Sequence, residues 1–111
     1  MKRHILLIED NEQNRYLTTF LLEKHGYRVT SAATGPAGVQ LARELLPDLI
    51  LLDVQLPGMD GYAVATALKA DARTSGIPIV VVTSCAMAGD REKVLATGAE
   101  SYLEKPIDPE T

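Results

Sequence analysis

Three runs of four apolar residues punctuate the chain, and each leads into polar residues able to do chemistry. Ile5 to Ile8 runs into Glu9 and Asp10, Leu49 to Leu52 into Asp53, and Ile79 to Val82 into Thr83. A short continuous apolar run between turn signals predicts a strand buried on both faces, as in a parallel sheet covered by helices. The stretches between the runs carry helical signals. Asn11 predicts the N-cap of a helix over about 12–25, with Leu17, Phe20 and Leu21 at helical spacing and Gly26 as its stop. Arg28 to Ala32 predicts a more polar strand, suited to a sheet edge. Thr34, Gly35 and Pro36 open a second helix that places Gly38, Leu41, Ala42 and Leu45 on one face and ends at Pro47. After the loop Leu56-Pro57-Gly58-Met59, Asp60 caps a third helix carrying Val64, Ala67 and Leu68. A fourth helix is expected between Ala88 and Thr97, closed by Gly98, and Ser101 to Glu104 forms a short last strand before Lys105-Pro106. Strands and helices in alternation predict a doubly wound α/β sheet with parallel, right-handed crossovers.

Parallel strands share one end, so Glu9, Asp10, Asp53 and Thr83 are expected together at the carboxyl edge, where open α/β sheets place their ligands. Three carboxylates within a few ångström repel one another and cost stability, and a divalent cation removes that cost. Mg²⁺ suits the oxygen donors, because it keeps several waters and commonly shares its site with phosphate. Asp53 is then a candidate nucleophile, since a carboxylate can attack a phosphoryl group and form an acyl phosphate. Lys105 at the end of the last strand would neutralise phosphoryl oxygens alongside the metal. The Thr83 hydroxyl and the Ser84 backbone amide would donate to the remaining ones.

At 111 residues the chain predicts one domain, 1–111. A net charge of -4 without a basic run argues against direct nucleic-acid binding. No apolar stretch approaches the roughly 20 residues that span a bilayer, and the N-terminus lacks the apolar region of a signal peptide. A cytoplasmic protein is expected, in keeping with the single cysteine, Cys85. His4, at a strand start, and His25, at a helix end, are not expected to ligate metal.

Glu9-Asp10-Asn11, the segment from Asp53 through Val54-Gln55-Leu56-Pro57-Gly58-Met59-Asp60-Gly61, Thr83-Ser84, and Tyr102 with Lys105-Pro106 together resemble the response-regulator receiver domain of two-component signalling. The resemblance covers the whole chain in order and spacing. It implies a flavodoxin-like fold of five parallel strands in the order 2-1-3-4-5. It further implies that Asp53 accepts phosphate from a histidine kinase or a histidine phosphotransfer protein. Glu9, Asp10, Asp53 and the Gln55 carbonyl would organise Mg²⁺, Lys105 would pair with the phosphate, and Thr83 and Tyr102 would move together on phosphorylation. The Lys105-Pro106 bond would be cis. Asn14, Gln55 and the run Thr83-Ser84-Cys85-Ala86-Met87 followed by Gly89-Asp90-Arg91 look like the receivers of hybrid kinases and of small single-domain regulators. Such a protein is not an enzyme beyond its own phosphoryl transfer and slow dephosphorylation.

The enzyme alternative is a haloacid-dehalogenase type phosphatase, which also uses a strand-end aspartate, Mg²⁺, a hydroxyl residue and a lysine. That family wants a second aspartate two residues after the nucleophile as general acid, and Gln55 stands there. A dinucleotide carrier would need a G-x-G-x-x-G after the first strand, and the chain has none. At the other end, Asp108, Pro109 and Glu110 read as the start of a helix that only Thr111 follows. A receiver's fifth helix is therefore expected to be truncated. The expectation that follows is a fragment of a longer chain, or self-association through a sheet face left uncovered beside the first helix.

Overall fold

In a computed structural model, residues 3–53, 61–83 and 101–104 are described, with 62, 83 and 101–104 described through their backbone alone. The elements are β1 (His4–Ile8), α1 (Glu12–Lys24), β2 (Arg28–Ala32), α2 (Gly35–Leu45), β3 (Leu49–Asp53), α3 (Gly61–Ala70), β4 (Ile79–Thr83) and β5 (Ser101–Glu104). The strands form one sheet in the order β2-β1-β3-β4-β5, and every neighbouring pair is parallel. The more polar β2 lies at an edge, as its sequence predicts. The expected fourth helix over 88–97, the loop 56–59, the Asp60 cap and the chain end from Lys105 onward lie outside the described residues.

Alternation along the strands sorts the apolar runs onto two faces, which is why they read as continuous in sequence. Leu6 and Ile8 of β1, Ile50 and Leu52 of β3, and Ile79 and Val81 of β4 pack with Val39 and Ala42 of α2 and with Val64, Ala65 and Leu68 of α3. Ile5, Leu7, Leu51 and Val82 face the other way, with Leu22 of α1. Each fully buried aliphatic side chain contributes about 1.5–3 kcal/mol of gross burial, so the central strands anchor the sheet. One close approach fixes a glycine: a Cβ on Gly38 would come within 2.6 Å of Ile8 Cγ1, so α2 can lie on β1 at this height only without a side chain there.

The facing of two helices differs from their sequence reading. In α1 the inward stripe is Arg15, Thr18, Thr19 and Leu22, an i, i+3, i+4, i+7 set, with only Leu22 buried. Leu17 and Phe20 fall on the opposite side and are 55% and 54% exposed, with Tyr16 at 70%. The apolar spacing of this helix therefore marks its outer face. The reason is geometric: Leu22 is the α1 side chain in the cluster of Ile5, Leu7, Leu51 and Val82, and a helix turned to bury it must turn Leu17 and Phe20 away. Beneath α1, Ile5, Leu7, Leu51 and Val82 of the sheet are all buried. In α2, Val39 is buried and Leu45 exposed, while Gly38 and Ala42 face the core as expected. Leu46, with φ of 47°, ends α2 in the left-handed conformation just before the buried Pro47.

Candidate metal centre

Strand register brings the predicted carboxylates together. Ile8 pairs with Leu52, so Glu9 leaves β1 at the height where β3 reaches Asp53. Asp53 in turn lies opposite Val82, one residue before Thr83. Thr83 ends β4 opposite Glu104 of β5, and Tyr102 lies opposite Val81. The backbone thus puts Glu9, Asp53 and Thr83 at one edge. Gln55, Ser84, Lys105 and Pro106 lie outside the described residues.

Carboxylate oxygens of Glu9, Asp10 and Asp53 lie within 4.8 Å of one another. Glu9 and Asp53 are buried, at 3% and 6% exposure, and Asp10 is open to solvent. Oxygens bound to one Mg²⁺ at about 2.1 Å sit about 3 to 4 Å apart in an octahedron, so small side-chain rotations would bring this set onto the ion. Two buried carboxylates and one exposed one leave a solvent side where water or a phosphoryl oxygen could complete the shell of a bound ion. The donor set fits a hard cation: all oxygen, all anionic, partly open.

The turn that follows β1 is built from local chemistry. The Glu9 amide donates to the Ala32 carbonyl at 3.0 Å, which extends the β1–β2 ladder by one bond. Asn11, with extended backbone, caps α1 by accepting from the Asn14 amide at 2.9 Å, and the Asn11 amide donates to Glu9 Oε1 at 3.4 Å. Arg15 reaches back from α1, its Nη1 donating to the Glu9 carbonyl at 3.0 Å and, more weakly, to the Asp10 carbonyl at 3.5 Å. The sequence offered no sign of that last contact beyond a basic residue in the first turns of the helix.

A five-stranded parallel sheet in this order, with an acidic cluster at the carboxyl edge of its central strands, defines a receiver-type signalling domain. The chain belongs to the response regulator receiver domain family, whose model matches residues 5–111. It is 41% identical over 107 residues to protein PilH of Pseudomonas aeruginosa, covering 96% of this chain and 88% of that one. It is 42% identical over 107 residues to the polar-differentiation response regulator DivK of Brucella ovis, covering 96% and 87%. Among solved structures, the receiver domain of the sensor histidine kinase PA1611 of Pseudomonas aeruginosa superposes with a TM-score of 0.89 at 38% identity, covering 97% of this chain and 88% of that one. That structure holds a magnesium ion in its active-site cleft. The chemotaxis protein CheY4 of Vibrio cholerae gives a TM-score of 0.92 at 27% identity, covering 99% and 92%. The protein is thus a receiver of two-component signalling, and the phosphatase alternative falls with that membership. Among the described residues, no helix is long and apolar enough to cross a membrane.

Proposed function

We propose that residues 1–111 act as one cytoplasmic receiver domain in which Asp53 accepts a phosphoryl group from a phosphohistidine, with Mg²⁺ held by Glu9, Asp10, Asp53 and the Gln55 carbonyl. An Asp53 carboxylate oxygen attacks phosphorus, the P–N bond breaks, and the imidazole leaves with its electron pair. Mg²⁺, when bound, neutralises charge on the phosphoryl oxygens and on the carboxylates that surround them. Lys105, Thr83 and the Ser84 amide would serve the remaining oxygens, and Thr83 and Tyr102 would carry the change to the surface. Turnover stops at the acyl phosphate, which water removes slowly. The observation that carries this reading is the convergence of three carboxylates within 4.8 Å, two of them buried, on adjacent parallel strand ends.

A histidine kinase or histidine phosphotransfer protein is the partner this surface suits. Tyr16, Leu17 and Phe20 form an exposed apolar face on α1, the helix whose N-terminus starts at the acidic edge, and Glu12, Gln13, Tyr16 and Leu17 line an open groove there. A helical partner seated on that face would have its phosphohistidine within reach of Asp53. The same face could instead pair two copies of the chain, which sedimentation at rising concentration separates from partner docking. Intact-mass analysis after acetyl phosphate and Mg²⁺ tests the phosphoacceptor. One added phosphate is expected in the wild type, lost on chelation and absent from Asp53→Asn; an equal addition in Asp53→Asn would overturn the assignment.

A further inference from the structure

The turn after β1 has to solve a problem of direction. Successive side chains of an extended chain point to opposite sides, yet carboxylate oxygens of the consecutive Glu9 and Asp10 both lie within 4.8 Å of an Asp53 oxygen. The backbone must rotate between them, and some group must hold it there against the repulsion of the carboxylates it carries. The two carbonyls of that rotated segment, Glu9 O and Asp10 O, share one donor: Nη1 of Arg15, at 3.0 and 3.5 Å. Arg15 is half-buried on the inward stripe of α1, and its own amide closes the first helical bond, to the Asn11 carbonyl at 2.9 Å. Its side chain therefore spans the loop from a fixed base. The loop is held at the Glu9 amide by Ala32, at Asn11 by the cap, and at the intervening carbonyls by the guanidinium.

We infer that Arg15 is a positioning residue for the Mg²⁺ site: by fixing the Glu9 and Asp10 carbonyls it aims both carboxylates at Asp53. The inference rests on the Mg²⁺ reading of the acidic cluster. It has a sign that separates it from electrostatics. A guanidinium beside a cation site repels the cation, so on charge alone its removal would tighten Mg²⁺ binding. Positioning acts the other way, and groups that orient metal ligands from outside commonly account for about 10- to 100-fold in affinity. Removing a solvated arginine that merely covered the helix would leave the Mg²⁺ affinity unchanged.

The test is a titration with MgCl₂ of wild type, Arg15→Ala, Arg15→Gln and Arg15→Lys, followed through backbone amide shifts of 9–11 and 53, together with thermal unfolding in EDTA. Arg15→Ala and Arg15→Gln are expected to weaken Mg²⁺ binding by about tenfold, with the β3 amides unmoved in EDTA, and Arg15→Lys, which keeps a cationic donor, to recover part of the loss. Equal or tighter binding in Arg15→Ala and Arg15→Gln would overturn the inference while leaving the metal site intact. A lower melting temperature in EDTA with an unchanged Mg²⁺ affinity would reduce Arg15 to a strut of the fold. A wild type that does not respond to Mg²⁺ would remove the metal reading and this inference together.

Discussion

The two ends of the same strands hold polar groups in opposite ways. At the amino edge of the sheet, buried His4 is surrounded by complementary partners. Its ring Nε2 lies 2.7 Å from the Thr30 hydroxyl, Arg28 Nη2 lies 3.3 Å from its Nδ1, and its backbone amide donates to Asp48 Oδ2 at 2.8 Å. An arginine can only donate, so Nδ1 accepts and Nε2 carries the proton toward Thr30: the contacts specify a neutral imidazole. Nearby, buried Thr74 donates its hydroxyl to the Leu68 carbonyl at 2.6 Å, and Lys69 Nζ donates to the Ser75 and Ile77 carbonyls at 3.1 and 2.9 Å. At the carboxyl edge, among the described residues, the carboxylates of Glu9, Asp10 and Asp53 converge, and these are alike in charge. Two unit charges about 5 Å apart interact by about 3 kcal/mol at an effective dielectric of about 20. Complementary groups need nothing from outside, whereas like charges gathered at a strand edge ask for a cation. The first arrangement serves the fold and the second serves the function.

Substitutions at the amino edge or in the core should therefore cost stability whether or not Mg²⁺ is present. The largest effect is expected from Gly38→Val, which forces new atoms against Ile8 and should destabilise the protein by about 3 kcal/mol in urea unfolding. A loss that disappeared with Mg²⁺ would show that this contact belongs to the site. Thr74→Val removes a buried hydrogen bond and should cost about 1–2 kcal/mol, equally in Mg²⁺ and in EDTA.

A smaller effect is expected from pH. Burial first, and the Arg28 guanidinium second, hold the His4 imidazole below its ordinary value of 6.5. As pH falls, the unfolded chain binds that proton before the folded one does, so unfolding is favoured progressively below pH 6.5 and is unaffected by this group above it. His4→Gln should flatten that part of the stability profile. An unchanged slope in the variant would place the proton uptake elsewhere. At the end of α3, the Arg73 backbone amide and then its side chain hold Asp71 down at about 2. Its contribution is therefore retained at neutral and mildly acidic pH and is lost only as pH falls from the ordinary carboxylate range toward about 2.

The same contrast explains what the sequence could disclose. Strands buried on both faces read as unbroken apolar runs, so β1, β3 and β4 and the residues that follow them were legible, and parallel register did the rest for Glu9, Asp10 and Asp53. The facing of α1 was not. Its apolar residues Leu17 and Phe20 lie outside, because two threonines and an arginine share the inward stripe with Leu22, and helical spacing alone cannot tell a core face from an exposed apolar face. The role of His4 was hidden too, since its partners Arg28 and Asp48 stand 24 and 44 residues away. Arg15 acts through backbone carbonyls, which no pattern of side chains reports.

The most direct test of the contrast between the two edges is thermal unfolding of wild type and Asp53→Asn, each in EDTA and in saturating Mg²⁺. Removing one of the crowded charges should make Asp53→Asn more stable than wild type in EDTA, by about 1–2 kcal/mol once the hydrogen bonds Asp53 gives up are set against the relieved repulsion. Mg²⁺ binds the folded state alone and should raise the wild type well above its EDTA value while moving the variant little, so that the order of the two reverses. An Asp53→Asn protein less stable than wild type in EDTA, with an undiminished response to Mg²⁺, would contradict the account.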